Sequence, residues 1–391
     1  MIALRSPNPD AVALVEARSL AREPEAWDDL VARSREPHPH FSRHVLTAHM
    51  AAGLAPADLR LVTVRRAGRL VAALPYRLRR DLCGLGGQVA RPFLSPLVTA
   101  TPPLVAREAD LPETLSALVA GLGEASGGRA WRWPLLPAGS PLGQGLLAAM
   151  RAAGWACGSV AAFERPILDR RASHAAFLDG HPHRARFKDL RRRERRLAEV
   201  GHVTFETATE GPALAAAVEA FLTLERAGWK GAAGTAMASR PEGAALARGL
   251  FGRTELPVTG RNPTRTEGPV TPRADLLRLD GRPVAVSLAL VAGGTATLLK
   301  TAYDETQRAS APGLLLEARI IEAMHRTGFA ERLDSATLAG SALESLYRER
   351  ETIAEIIAVP PGGALSLDRR LRLARFEHEA RAEAKRLLRR A

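Results

Sequence analysis

Apolar positions along this chain follow two rhythms, and their alternation marks out the elements. Over residues 10–54 the spacing is helical: "HPHFSRHVLTAHMAAG" sets Phe41, Val45, Leu46 and Met50 on one face. From Leu59 to Arg80, "LRLVTVRRAGRLVAALPYRLRR" changes to a period of two on either side of Arg66-Ala67-Gly68, which predicts a hairpin. A helix over "LPETLSALVAGLGEA", a short strand at "RAWRWPLL", a helix over "SPLGQGLLAAMRAAGWACG" and a strand at "AAFERPILD" complete a first half.

The second half opens near Ser173. "SHAAFLDGHPHRARFKDLRRRERRLAEVG" reads as one long basic helix stopped by Gly201, followed by a strand at "HVTFETA" and a helix over "GPALAAAVEAFLTLERAGW". Residues 231–270, rich in Gly, Pro and Thr, hold a short helix from Ala244 to Phe251 and a loop. The clearest strand signal is "RADLLRLDGRPVAVSLALVAGGTATLLKTAYD", where Asp280-Gly281 and Gly293-Gly294 separate three β-branched, apolar runs into an antiparallel meander. A long helix begins after Pro312. A strand from Arg332 to Thr337, a helix from Ser341 to Arg348 and a strand at "TIAEIIAV" follow. The first half gives a looser version of the same order, so the expected architecture is α+β with a duplicated fold. Each copy would be a mixed, largely antiparallel sheet flanked by helices. The expected domains are residues 1–170 and 171–362, with a basic C-terminal helix over 363–391.

Composition narrows the function classes. The 391 residues suit two domains. No run of about 18 apolar residues predicts a membrane span, and the N-terminus, broken by Pro7 and Pro9, lacks the apolar core of a secretory signal. Cys83 and Cys157 form neither a metal pattern nor a disulfide framework, so a reducing cytoplasm is expected. The net charge of +13, carried almost wholly by Arg, favours anionic partners: phosphates, nucleic acid or a membrane surface. It is concentrated in Arg184–Glu199 and Arg369–Ala391. Either helix could bind RNA or an anionic membrane surface, although the scarcity of interleaved aromatics argues against nucleic acid. In the second, Leu373, Phe376, Ala380 and Leu387 form a stripe that suits packing on the protein. The histidines of the two His-Pro-His pairs, His38 and His40, His181 and His183, are expected to be solvated loop residues without metal spacing.

The turn Ser310-Ala311-Pro312-Gly313 stands between the last meander strand and its helix. Pro312 suits the first helical position, and Gly313 allows a ligand near the backbone. Ala311 offers no capping oxygen, which leaves Ser310, water or an anion to satisfy the first-turn amides. Arg308 stands beside them.

A meander followed by Arg-x-x-Ala-x-Gly (Arg308, Ala311, Gly313) and a helix resembles the acyl-CoA pyrophosphate loop of the GNAT acetyltransferases, with Ala311 in place of the loop's first glycine. "FLTLERAGWKG", "LDGRPVAVSLAL", "KTAYDETQRASAPGLLL" and "LDSATLAGSALESLYRERETIAEI" are similar, in that order, to the cellulose-biosynthesis-associated (CelD-like) branch. The Fem-type transferases, which carry two GNAT-like folds in tandem, resemble the two-half organisation. The resemblance covers residues 170–360 well and implies tandem GNAT-like folds, the first of them degenerate. It implies a donor, acetyl-CoA or another acyl-CoA, held by Arg308, Ser310, Ala311, Gly313 and Leu314. It also implies an amine or hydroxyl acceptor, with a polysaccharide or cell-envelope precursor as the family expectation. An aminoacyl-tRNA donor and a non-catalytic scaffold are the competing readings.

Three side chains are candidates for the chemistry. The resemblance makes Tyr347 the acid that reprotonates a leaving thiolate, and a core aromatic is the alternative. Asp334, at a strand end beside Ser335, either orients the acceptor or caps a turn. Glu225, clustered with Trp229 and Lys230, is either a base or an ion-pair partner. Tyr303 and Asp304 either shape the acyl site or form a turn.

Overall fold

The computed structural model describes residues 11–17, 22–252, 268–338, 340–363 and 365–388, the side chains of 382 and 385–388 excepted. In chain order the first elements are β1 (Ala11–Glu16), α1 (Pro24–Ala32), α2 (Arg43–Ala51), β2 (Arg60–Arg66), β3 (Arg69–Arg80), β4 (Gln88–Pro92) and β5 (Leu104–Val105). Next come α3 (Leu111–Ser126), β6 (Trp131–Pro137), α4 (Pro141–Ala152), β7 (Ala156–Asp169), α5 (His174–Leu178) and α6 (Arg184–Val200). They are followed by β8 (Val203–Ala208), α7 (Gly211–Ala227), α8 (Trp229–Ala232), α9 (Pro241–Phe251), β9 (Val270–Leu279), β10 (Arg282–Ala292) and β11 (Thr295–Tyr303). The last are α10 (Pro312–Thr327), β12 (Arg332–Asp334), β13 (Glu349–Val359) and α11 (Leu367–Leu388).

The chain divides into two compact units, one of residues 1–36, 57–164 and 351–391, the other of residues 37–56 and 165–350. Each is α+β, with a mixed, mostly antiparallel sheet flanked by helices. Two discrete tandem sheets are not resolved, because β7 and β13 each contribute residues to both units.

In the first unit the strand order is β1-β2-β3-β4-β6-β13-β7. The β1–β2, β2–β3, β3–β4 and β6–β13 pairings are antiparallel, and β4 pairs with β6 in parallel. The β2–β3 hairpin turns at Ala67 and Gly68, with φ of 47° and 77°, the paired positive values that match the twist of the flanking strands. Asp110 and Ser140 cap α3 and α4 by accepting amide hydrogens of Glu113 and Gly143 at 2.8 and 3.0 Å. Arg132, buried on β6, sits among Asp81, Glu355 and Glu377 and ties α11 to the sheet.

In the second unit the order is β7-β12-β11-β10-β9-β8, antiparallel except for β11 with β12. The meander turns at Asp280-Gly281 and Gly293-Gly294, again with positive φ at both central residues. One buried cluster joins α6 (Phe187, Leu190, Leu197) and α10 (Leu315, Leu316, Ile320, Ile321, Met324) to β9–β12. Helix α7, lying with α9 against β9, β10 and β11, contributes nothing to that cluster.

Several expectations are corrected. Residues 11–16 form a strand: "AVALVE" is short enough that helical and alternating spacings coincide, and its pairing with β2 decides the outcome. The long basic helix is broken in two, because Gly180 takes φ of +62° and Pro182 follows. The helix over Ser341–Arg348 is only a 3-10 turn, Ala342–Ser345. His38, His40 and His181 are buried rather than solvated, His38 and His40 stacked on each other and His181 edge-on to Phe177, and of these four only His183 is exposed. In α11, Phe376 is 62 % exposed and Ala380 is exposed. Arg370 and Ala374 are buried instead, while the side chain of Leu387 lies outside the described residues. The loop expected within 231–270 falls largely on residues 253–267, which are outside the described set.

Candidate active site

The site forms where two strands part. β11 and β12 pair over only three residues, Thr295–Thr297 with Arg332–Asp334. β11 then runs on to Tyr303. β12 stops because Ala336, at φ +53°, turns the chain and donates its amide hydrogen to Asp334 Oδ1 at 2.7 Å. Asp334 is therefore a turn-forming residue in this geometry, and it also faces Arg165 at 3.5 Å. Ser335 is buried, its hydroxyl 2.9 Å from that of Thr337.

Beyond β11 the chain makes a 3-10 turn, Glu305–Ser310, started by Asp304, whose Oδ1 accepts from the amide and hydroxyl of Thr306 at 2.9 and 2.7 Å. Ala311 follows in the left-handed region (φ 51°, ψ 53°) and is the N-cap of α10, with no side-chain cap. Its carbonyl accepts from both Leu314 and Leu315 amides at 3.0 Å. That conformation disfavours any residue with a Cβ, and Ala311 adopts it where the loop pattern has glycine. Ser310 does not cap the helix. Arg308 is exposed and has no ion-pair partner among the described residues. A Cβ on Gly313 would stand 3.2 Å from Tyr303 Cδ1, so a side chain there would press on the Tyr303 ring. Leu314 is half-buried against the core. Arg193 of α6 donates to the Ala309 carbonyl and holds the turn from outside.

Beside this turn lies a small cleft open to solvent, lined by Leu224, Glu225, Trp229, Lys230, Thr301, Tyr303 and Glu305. Tyr303 joins the two features, since its ring meets the cleft and also Gly313. Glu225, its side chain fully buried, receives Lys300 Nζ at 2.8 Å, Lys230 Nζ at 3.3 Å and the Met237 amide at 2.7 Å. Burial alone would raise its carboxyl. The hydrogen bonds from Lys300 and Met237, and the two lysine charges, outweigh burial and hold it below the usual range. Lys230 is shifted downward, chiefly by burial, while Lys300 adds like-charge repulsion and Glu225 opposes both. Trp229 is 59 % exposed at the rim, its amide bonded to Glu305 Oε1 at 2.8 Å.

Tyr347 is not brought to this cleft. It is fully buried, and its hydroxyl donates to Glu317 Oε1 of α10 at 2.7 Å. Glu317 is pushed up to about 7 by burial, which the Tyr347 hydrogen bond opposes and the nearby Asp275 reinforces. The geometry thus gathers Arg308, Ser310, Ala311, Gly313 and Leu314 at one turn with Glu225 alongside, while Asp334 marks the strand parting and Tyr347 sits in the core. Lys300 was not singled out from the sequence. Its rarity as a lysine in an arginine-rich chain was the available signal.

This meander, with its parted strands beside a helix N-terminus, has the GNAT-superfamily acetyltransferase fold. Residues 184–338 match the family described as "Acetyltransferase (GNAT) domain", which spans under half of the chain. Two solved structures share the fold across both halves. One is FemX, 11 % identical, covering 85 % of this chain and 95 % of that one, with a TM-score of 0.52. The other is the C-terminal domain (DUF2156) of a protein assigned as a lysylphosphatidylglycerol synthetase from Agrobacterium fabrum, 16 % identical, covering 90 % and 94 %, with a TM-score of 0.51. No curated protein sequence matches. No helix among the described residues is long and apolar enough to cross a membrane.

Proposed function

We propose that this chain is a GNAT-fold transferase that takes its acyl group from an aminoacyl-tRNA and delivers it to an amine or hydroxyl acceptor. The observation that carries this reading is the outer face of α6. Arg184, Lys188, Arg191, Arg195 and Arg196 are exposed there and have no ion-pair partner among the described residues. Through Arg193 the same helix grips the turn at Ala309. A row of free cations leading to the donor turn suits a phosphate backbone whose acylated end enters the cleft. The fold shared with FemX supports the reading. So does the name of the second relative, which describes formation of an aminoacylated lipid.

The second reading, acetyl-CoA or another acyl-CoA as donor, is favoured by the acetyltransferase family match over residues 184–338. In it the pyrophosphate meets the first-turn amides of α10 and Arg308. A cell-envelope or polysaccharide precursor stays the expected acceptor in either case, on the resemblance alone.

Salt titration separates the donors. The triple variant Arg191→Gln, Arg195→Gln, Arg196→Gln should bind charged tRNA more weakly, its salt dependence shallower by roughly 0.9 for each phosphate the helix no longer neutralises. Its acetyl-CoA affinity should be unchanged. Unaltered tRNA binding and an unaltered salt slope would remove α6 from donor recognition.

A further inference from the structure

Lysine is nearly absent from this chain. The sequence holds four, Lys188, Lys230, Lys300 and Lys385, within 55 basic residues. Two of those four, far apart in sequence, meet on one buried carboxylate, Glu225. Elsewhere the chain meets its needs for positive charge with arginine, which stays protonated under all ordinary conditions. At this carboxylate it keeps the cation that can lose a proton.

The two amines are held differently. Lys300 Nζ lies 2.8 Å from Glu225 Oε1 and serves as its close counter-ion. Lys230 Nζ has loose contacts, 3.3 Å to Glu225 Oε1, 3.4 Å to the Thr301 carbonyl and 6.0 Å to the centroid of the Trp229 ring, and its side chain remains 27 % exposed on the cleft wall. Glu225, Lys300, Tyr303 and Glu305 are the titratable groups around the cleft.

We propose that Lys230 is the proton acceptor of the transfer reaction, a catalytic residue that takes the proton from the acceptor nucleophile in the cleft. The assignment rests on the transferase reading above. As the acceptor nitrogen or oxygen attacks the donor carbonyl, its bond to carbon forms and its proton passes to Nζ of the deprotonated form of Lys230. The donor's ester bond then breaks, and the leaving ribose oxygen takes that proton back, so Lys230 ends as it began. Burial and then the repulsion of Lys300 lower the proton affinity of Lys230, against the attraction of Glu225, a carboxylate it shares with the closer Lys300. Glu225 itself, held ionised below its usual range, is a poor proton acceptor at neutral pH.

The test needs no donor. Amine-selective labelling of the full chain over a pH series, read lysine by lysine by mass spectrometry, gives each midpoint with exposed Lys188 as internal reference. The midpoint of Lys230 should lie well below that of Lys188, and it should rise in Lys300→Met. Turnover of Lys230→Arg, which keeps the charge, should fall about 10²–10⁴-fold. Turnover of Lys230→Ala should be partly restored by added small amines. A Lys230 midpoint at or above that of Lys188, or full turnover of Lys230→Arg, overturns the assignment and leaves the transferase reading standing. A low midpoint in a protein that transfers from neither aminoacyl-tRNA nor acyl-CoA refutes the transferase reading, and the catalytic role with it.

Discussion

Replacing Glu317 by Gln should make the protein more stable at pH 8 and leave it nearly unchanged at pH 5. The folded carboxyl holds its proton up to about pH 7 against an ordinary value of 4.5, chiefly because it is buried. Below pH 4.5 both folded and unfolded chains carry the proton, and no stability is lost. Between 4.5 and about 7 the unfolded chain ionises first and binds fewer protons, so this group's contribution falls as pH rises and is flat thereafter. At about 1.4 kcal/mol for each tenfold change in proton affinity, the gap from 4.5 to about 7 amounts to about 3 kcal/mol. Glutamine is close in shape, carries no charge and can still accept the Tyr347 hydroxyl. Other shifted groups also make stability depend on pH. Asp275 is raised chiefly by burial and acts with the same sign, whereas His174, His181 and His325 are lowered chiefly by burial and act with the opposite one. The difference between wild type and Glu317→Gln cancels the histidine contributions, while the repulsion between Asp275 and Glu317 stays part of the measured effect. Urea unfolding followed by tryptophan fluorescence at pH 5, 6, 7 and 8 should show that difference growing by roughly 2–3 kcal/mol in favour of glutamine, the remainder being already present at pH 5. A difference that does not change with pH would refute the claim that Glu317 is buried with its proton.

Tyr347→Phe should keep turnover and lose about 1 kcal/mol of stability at pH 6, the worth of one buried hydrogen bond to a neutral acid. A 10²-fold fall in turnover would return its hydroxyl to the mechanism. Ala311→Gly should raise thermal stability by roughly 0.5 kcal/mol, because glycine removes the left-handed strain at φ 51° and gives back part of that gain as backbone entropy. A lower melting temperature would show that the methyl group packs usefully. Gly313→Val should displace the Tyr303 ring, which lies 3.2 Å from the new Cβ, and weaken donor binding in a folded protein; calorimetry finding wild-type affinity would place the donor elsewhere.

The sheet was legible because alternation and turn chemistry agree. Ala67-Gly68, Asp280-Gly281 and Gly293-Gly294 each announce a turn whose positive φ values the structure contains. Where local signals conflict, the sequence misleads. "AVALVE" becomes a strand only because β2 offers an edge, and Ser341–Arg348 lacks the length to propagate beyond a single 3-10 turn. Glu225, Trp229 and Lys230 could be grouped from sequence because they lie within one helical turn or two of each other. Lys300 and Thr301 reach the same cleft across the sheet, and Tyr347 meets Glu317 through the core, pairings that no spacing rule encodes. Burial of His38, His40 and His181 was missed because a histidine beside proline looks like a loop residue wherever its ring goes.

The central claim, transfer from a charged tRNA into the Glu225–Lys230 cleft, is tested most directly by supplying radiolabelled aminoacyl-tRNA and acetyl-CoA separately to purified wild-type protein with a set of amine and hydroxyl acceptors. The account predicts movement of label from aminoacyl-tRNA into product, slowed about 10²–10⁴-fold by Lys230→Arg, and no comparable transfer from acetyl-CoA. Acetyl transfer at a higher rate than aminoacyl transfer would contradict the donor assignment, and release of label from neither donor would contradict the reading of this cleft as a transferase site.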